Sequence, residues 1–163
     1  MLDFFLEMKK KIPGLKFLFI THDAEETILT FAQSKGINSC DIIVKPASRN
    51  EVPAFLSLSD WSIFFIKDAY SKKGSSPTKQ GEIMAMGIPI VCNDVGDTGG
   101  IIDESGAGVK VSEFNKASYN LAIDKLIRFD TGMKQQIRES AYKYFDLQEG
   151  TSEYLAVYKK MAK

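Results

Sequence analysis

The residues best placed to do chemistry surround a predicted helix start near the middle of the chain. Ser76 is predicted to cap this helix and Pro77 to occupy its first turn, which leaves backbone N–H groups free beyond a strand end. Such groups attract an anion, and the Lys79 ammonium adds a positive charge. Glu82 lies one turn further along, where its carboxylate could accept two ribose hydroxyls. These residues indicate a phosphate and sugar site, and an ordinary capped helix with a solvated lysine and glutamate fits them equally well.

Three other groups of residues are weaker candidates for phosphate binding or catalysis. The segment Gly96–Gly100 predicts either a turn that approaches a phosphate or a plain glycine turn that opens a helix. His22, the only histidine, follows a strand and has no obvious nucleophile beside it, which favours a loop or capping role. Asp103 and Glu104 fit charge at a helix end better than an acid/base pair. We therefore assign no catalytic residue and predict no metal site.

The elements that must position these residues alternate between helices and short apolar strands. The predicted strands are Lys16–Thr21, Asp41–Val44, Trp61–Ile66, Ile88–Cys92 and Ala107–Val111. The predicted helices are Leu2–Ile12, Ala24–Ser34, Asn50–Leu58, Thr78–Met86 and a helical region from Asn115 onward, with breaks near Thr131–Gly132 and Glu149–Gly150. Continuous apolar strands between helices predict an α/β fold, with a Rossmann-like parallel sheet of about five strands and helices on both faces.

Composition narrows the function classes. The length of 163 residues predicts one domain over residues 1–163. The 21 basic residues balance the 21 acidic ones, which argues against a nucleic-acid partner. No apolar run is long enough to span a bilayer and no signal-peptide pattern opens the chain. Cys40 and Cys92 both lie in apolar, strand-like segments, so we expect no disulfide and a cytoplasmic protein.

The segment Ser76–Val91 reads Ser-Pro-Thr-Lys-x-x-Glu-x-x-Ala-x-Gly-x-Pro-x-Val. It resembles the donor-site segment of the family 4 glycosyltransferases, in the variant written around Pro-Thr-Lys. The upstream segment Val52–Ile63 and the downstream segment Asn93–Gly108 also resemble the family. The resemblance covers nearly the whole chain and implies the nucleotide-sugar-binding, C-terminal half of a GT-B enzyme.

The resemblance also implies roles for individual residues. Glu82 would bind the ribose, while Ser76, Thr78 and Lys79 would receive the diphosphate. The base would pack against the backbone of the turn formed by Lys45, Pro46 and Ala47. The implied ligand is a UDP- or GDP-sugar that serves as donor substrate, with no other cofactor.

Two departures from the family pattern bear on activity. The family often carries a second glutamate that contacts the donor sugar, and Gly74 stands at that position. The chain also begins at the helix that follows the family's basic, diphosphate-binding loop. We therefore expect weak donor binding and no glycosyl transfer by this chain alone.

The resemblance implies an intact enzyme that transfers a glycosyl group to a saccharide or lipid-linked acceptor in surface polysaccharide biosynthesis. Its partners would be an N-terminal GT-B half or a partner subunit, with peripheral membrane association or a homodimer as further expectations. Two alternatives stay open: a non-catalytic nucleotide-binding module, and a flavodoxin-like α/β interaction domain without a nucleotide.

The resemblance implies that this chain lacks the central first strand of the fold. Its absence would leave Lys16–Thr21 and Trp61–Ile66 each without a neighbour. Because buried, unpaired backbone groups are costly, we expect these two segments to pair directly and in parallel. A strand donated by a second copy is the second expectation.

Overall fold

The computed structural model describes residues 1–74, 77–130 and 132–162, in which helices alternate with short strands. The helices are α1 (Leu2–Lys11), α2 (Glu25–Ser34), α3 (Val52–Leu56), α4 (Thr78–Ala85), α5 (Thr98–Ser105), α6 (Lys116–Leu126), α7 (Met133–Phe145) and α8 (Leu147–Met161). The strands are β1 (Phe17–Ile20), β2 (Ile42–Lys45), β3 (Ser62–Ile63), β4 (Ile90–Asn93) and β5 (Gly108–Val111). Apart from β3, the last two helices and α5, for which no bounds were predicted, the element bounds agree with the sequence prediction to within about two residues.

All strand pairs are parallel, and helices cover both faces of the larger sheet. β1 pairs with β2, and β4 pairs with both β3 and β5. Val91 packs on one side of the sheet with residues of α1 and α6. Ile90 and Cys92 pack on the other side with residues of α4, α5 and α7. The predicted α/β fold with helices on both faces of a parallel sheet is therefore confirmed.

The strands form two sheets, β1-β2 and β3-β4-β5, instead of the single sheet expected. The predicted pairing of Lys16–Thr21 with Trp61–Ile66 is wrong, because within the described residues β1 pairs only with β2 and β3 only with β4. The prediction assumed buried edges, but every residue of β1 and β3 is partly exposed, so water can solvate the unpaired groups.

Helix α1 holds the two sheets in one molecule. Leu2 and Phe5 pack in a cluster with residues of β2, while Phe4 and Met8 pack in a second cluster with residues of β4 and β5. Leu15, just before β1, packs against both clusters. The side chains of one amphipathic helix thus link two sheets that share no backbone ladder.

Strand β3 is shorter than the predicted Trp61–Ile66, but the extended course continues beyond it. The Phe64 N–H donates to the Val91 carbonyl at 3.0 Å. The side-chain amide of Asn93 then accepts from the Ile66 N–H and donates to the Ile66 carbonyl, both at 2.8 Å. The Asn93 side chain therefore takes the place of the last backbone hydrogen bonds that would join β4 to this segment.

Two further expectations need correction. The second C-terminal break lies at Asp146, not at Glu149–Gly150, because the Asp146 carboxylate accepts the N–H groups of Gln148 and Glu149 and caps α8 there. Cys40 is exposed on a short 3₁₀ helix (Ser39–Asp41) rather than in a strand. Among the described residues, no helix combines the length and apolar character that crossing a membrane requires.

Candidate functional site

The predicted site residues lie where the strands end. Parallel strands present their carboxyl ends at one edge of a sheet, and ligands of open α/β folds bind there. At this edge the segment after β1, the turn after β2 and the start of α4 approach one another. His22 Nε2, after β1, lies 3.2 Å from the Ala47 carbonyl oxygen, after β2. Arg49 Nη2 lies 3.9 Å from Glu82 Oε1 on α4.

The turn after β2, predicted to meet a base, has a locally determined shape. The Ser48 N–H and hydroxyl donate to Glu51 Oε2 at 2.9 and 2.6 Å. The hydrogen bond from the Ser48 hydroxyl, and to a smaller extent the one from its N–H, holds the pKa of Glu51 below its usual value of 4.5. On the other side, the Thr21 N–H donates to the Lys45 carbonyl at 3.0 Å. These bonds fix the backbone on both sides of Pro46 and Ala47, where the base is expected to pack.

Helix α4 presents the predicted phosphate and ribose residues. The helix begins at Thr78 with Pro77 as its N-cap, so Pro77 lies one position earlier than predicted; the capping role predicted for Ser76 lies outside the described residues. Thr78, Lys79 and Glu82 are exposed. The Lys79 ammonium lies 5.6 Å from the centre of the Phe64 ring, beside the extension of β3. The charge of Lys79 is thereby held near the strand-end edge.

Buried contacts fix the start of α4 against the start of α5. Gln80 is fully buried, and its amide nitrogen donates to the Thr98 carbonyl at 3.2 Å. The Thr98 hydroxyl lies 2.8 Å from the carbonyl oxygens of Asn93 and Val95. Gly96, between Val95 and Thr98, has a φ of 63°, a left-handed conformation that favours glycine. The structure thus shows a tight turn at Gly96 that opens α5, and a phosphate contact there stays a prediction.

Asp103 and Glu104 contact residues in different parts of the fold. Asp103 pairs with Lys110 at 2.5 Å, and Lys110 also pairs with Asp94 at 3.0 Å. Glu104 accepts the Tyr144 hydroxyl at 2.8 Å. Since Asp103 and Glu104 contact different partners, they do not form an acid/base pair. The described residues contain no cluster of side chains suited to a metal ion.

Sequence reasoning missed Arg49 and a groove beside α4. Arg49 had no distinguishing signal, because only the tertiary structure brings the turn after β2 towards Glu82. The groove, about 420 Å³ in volume, runs between α4 and the junction of α7 with α8. It is lined by Thr78, Gly81, Glu82, Ala85, Ala141, Tyr142, Phe145, Asp146 and Leu147. Glu82 therefore faces an apolar groove as well as the strand-end edge.

Comparisons with known proteins find a likeness in structure only. No family model and no curated protein sequence matches the chain. Twelve chains of solved structures match it, among them a K341M mutant of the O-GlcNAc transferase of Thermobaculum terrenum, with a TM-score of 0.65 and 18% sequence identity. The match covers 98% of this chain and 32% of that enzyme chain, so this chain spans about a third of its length. The fold of this chain is therefore similar to that of a portion of a glycosyltransferase, and membership of family 4 stays a prediction.

Proposed function

We propose that this chain binds the nucleoside diphosphate part of a nucleotide sugar, as the donor-binding portion of a glycosyltransferase. The observation that carries the proposal is the 3.9 Å approach of Arg49 to Glu82. It brings the turn expected to hold a base next to the carboxylate expected to hold a ribose. A nucleoside needs both contacts at once, and they come from two separate segments, the turn after β2 and helix α4.

The exposure of Glu82 is consistent with a binding role. The side chains of Arg49 and Glu82 are 94% and 53% exposed, so water screens their attraction and the pair is weak. Glu82 can therefore exchange Arg49 for two ribose hydroxyls at little cost. The diphosphate would lie at the start of α4, near the N–H groups of Thr78 and Lys79 and the Lys79 ammonium.

In glycosyl transfer, these residues would hold the donor and stabilise the charge that develops on the departing diphosphate. The acceptor and any catalytic base would come from an N-terminal GT-B half or a partner subunit. The donor class we propose is a UDP- or GDP-sugar, and the acceptor class a saccharide or lipid-linked saccharide, in the cytoplasm at a membrane surface. The resemblance of Ser76–Val91 to family 4 supports these assignments.

A second candidate is a module that binds a nucleotide without transferring a sugar. It is favoured by Gly74, which stands where family 4 often has the glutamate that contacts the donor sugar. The two candidates differ in one measurable respect. A donor site should bind a nucleotide sugar differently from the matching nucleoside diphosphate, whereas a nucleotide module should bind both equally.

The proposal is tested by titrating the chain with UDP, GDP, ADP and inorganic phosphate and measuring the heat of binding by calorimetry. We expect one nucleoside diphosphate to bind with a dissociation constant between roughly 1 µM and 1 mM. Glu82→Ala should weaken binding by on the order of 2 kcal/mol, or about thirtyfold, because it removes two hydrogen bonds to a charged group. The matched control is Glu26→Ala, since Glu26 is an exposed glutamate on α2. Equal binding by Glu82→Ala and the parent chain would refute the ribose assignment.

A further inference from the structure

The groove between α4 and the junction of α7 with α8 combines an apolar floor with an aromatic wall. Its volume is about 420 Å³. Gly81 admits the Phe145 ring against the backbone of α4, since a Cβ there would lie 2.6 Å from Phe145 Cγ. Ala85 and Ala141 line the groove and are too small to fill the space beside this ring. Space for a small ligand is therefore left between the two helices.

Tyr142 supplies a second ring to the same wall. Tyr142 and Phe145 are three residues apart on α7, so they are neighbours on one face of that helix. Tyr142 lines the groove and yet is 71% exposed. The face of such a ring attracts the C–H groups of a ligand.

The charged groups of the groove are all acidic. Glu82 and Asp146 line it, and no lysine, arginine or histidine is among the described residues that do so. The cap of α8 uses only Oδ1 of Asp146, which leaves Oδ2 available as an acceptor. The Thr78 and Tyr142 hydroxyls have no hydrogen-bond partner among the described residues. The groove therefore repels anions and offers acceptors and hydroxyls to a neutral or amine-bearing ligand.

We propose that this groove binds a saccharide. The C–H face of a sugar ring packs on Tyr142, and its hydroxyls donate to the carboxylates of Glu82 and Asp146. A cationic side chain of a peptide would use the carboxylates but not the Thr78 and Tyr142 hydroxyls, whereas a sugar uses both. The proposal goes beyond the nucleoside diphosphate site, with which the groove shares only Thr78 and Glu82.

A charge series of monosaccharides tests the class of ligand. The 163-residue chain is titrated with glucose, glucosamine in its ammonium form and glucuronate, and the NMR shifts of the Ala85 and Ala141 amides report binding in the groove. We expect glucose to bind with a dissociation constant between roughly 1 and 30 mM. Glucosamine should bind roughly twofold to fivefold more tightly and glucuronate more weakly by a similar factor, because of the two carboxylates.

Asp146→Asn should reduce both differences, since asparagine keeps the helix cap but removes the charge. Amide shifts that do not respond to glucose, or tighter binding of glucuronate than of glucosamine, would overturn the proposal.

Two tyrosines of equal exposure provide a matched pair of variants. Tyr142→Ala should weaken glucose binding by roughly fivefold to tenfold, because it removes the ring from the groove wall. Tyr142→Phe keeps the ring and should weaken binding by less than about threefold. Tyr154→Ala should leave binding unchanged, because Tyr154, also 71% exposed, lies on α8 outside the groove. Equal effects of Tyr142→Ala and Tyr154→Ala would contradict the assignment.

The saccharide has two possible sources, the glycosyl group of a nucleotide sugar and a separate acceptor. Calorimetry with UDP and UDP-glucose separates them: if Tyr142→Ala weakens binding of UDP-glucose the source is the donor, and if it weakens binding of free glucose alone the source is the acceptor. In both cases Tyr142→Ala should leave UDP binding unchanged, and a loss of UDP binding would refute a separate saccharide site. Glucose binding without any binding of UDP, GDP or ADP would refute the donor function and leave the groove assignment standing.

Discussion

Strands β2 and β4 have similar apolar sequences but different surroundings. In β2, Ile42 and Val44 are buried while Ile43 and Lys45 are exposed. In β4, every residue from Ile90 to Asn93 is buried. We call residues 17–56, with β1 and β2, the two-stranded half, and residues 62–145, with β3, β4 and β5, the three-stranded half. The larger half has helices on both faces, and the smaller one leaves a face of β2 in water.

The difference shows which half of the fold is more firmly packed. Helices α2 and α3 of the two-stranded half bury only Ala32 between them. Helix α4 of the three-stranded half buries Gln80, Gly81, Ile83 and Met84. The proposed site takes Glu82 from the firmly packed half and the turn after β2 from the other. The carboxylate would thus come from the half whose helices bury more residues, and the base-binding turn from the half whose helices bury fewer.

The largest expected effect is a difference in the free energy of unfolding between substitutions of two isoleucines, one in β4 and one in β2. Ile90→Ala should lower the free energy of unfolding by about 2–5 kcal/mol, because Ile90 is fully buried in β4. Ile43→Ala should cost less than about 1 kcal/mol, because Ile43 is 40% exposed in β2. Urea denaturation measures both values. Both variants lose the same β-branched side chain, so equal costs would show that the two halves are equally well packed.

A smaller effect is expected where α4 packs on α7. A Cβ at Gly81 would lie 2.6 Å from Phe145 Cγ, so Gly81→Ala should destabilise the protein by about 1–3 kcal/mol. Gly100→Ala, inside α5, is the matched control. Its Cβ meets nothing within 4 Å, so it should be neutral or stabilising by up to about 1 kcal/mol. A neutral Gly81→Ala would mean that α7 can move away from α4 freely.

The smallest expected effects concern the dependence of stability on pH, which has opposite signs in the two halves. Hydrogen bonding to Lys9, and then to Lys16, holds the pKa of Asp41 below its usual 3.8. The stability from Asp41 is therefore present above pH 3.8 and is lost as pH falls through the lowered pKa. Burial, and then the Asp94 charge, raises the pKa of Cys92 from 9.0 to about 12. The stability linked to Cys92 is present below pH 9.0 and is lost as pH rises towards about 12.

We therefore expect the acid limb of the stability profile to depend on the two-stranded half and the alkaline limb on the three-stranded half. Asp41→Asn should flatten the decrease in melting temperature below pH 3.8, and Cys92→Ala the decrease above pH 9.0. Asp68→Asn, in an exposed loop, is the control for the first variant. If Asp41→Asn altered only the alkaline limb, the sign of its linkage would be wrong.

The amino-acid sequence by itself determined the order of the elements and the segment that carries the candidate site. Helical periodicity, apolar strand runs and capping residues act over a few residues, and these short-range effects are readable without a fold. The start of α4 at Thr78 and the exposure of Lys79 and Glu82 belong to this class. The break predicted at Glu149–Gly150 is wrong, because the Asp146 carboxylate caps α8 before it and the helix continues through Gly150.

Only the tertiary structure decided which strands pair and which residues meet across the molecule. The apolar run of β2 predicted cover on both faces, yet Ile43 is 40% exposed. The split into two sheets depends on how α1 divides its side chains between two clusters. The approach of Arg49 to Glu82 joins residues 33 positions apart, from the turn after β2 and from helix α4. Such contacts depend on the packing of whole elements, which a local pattern of residues does not specify.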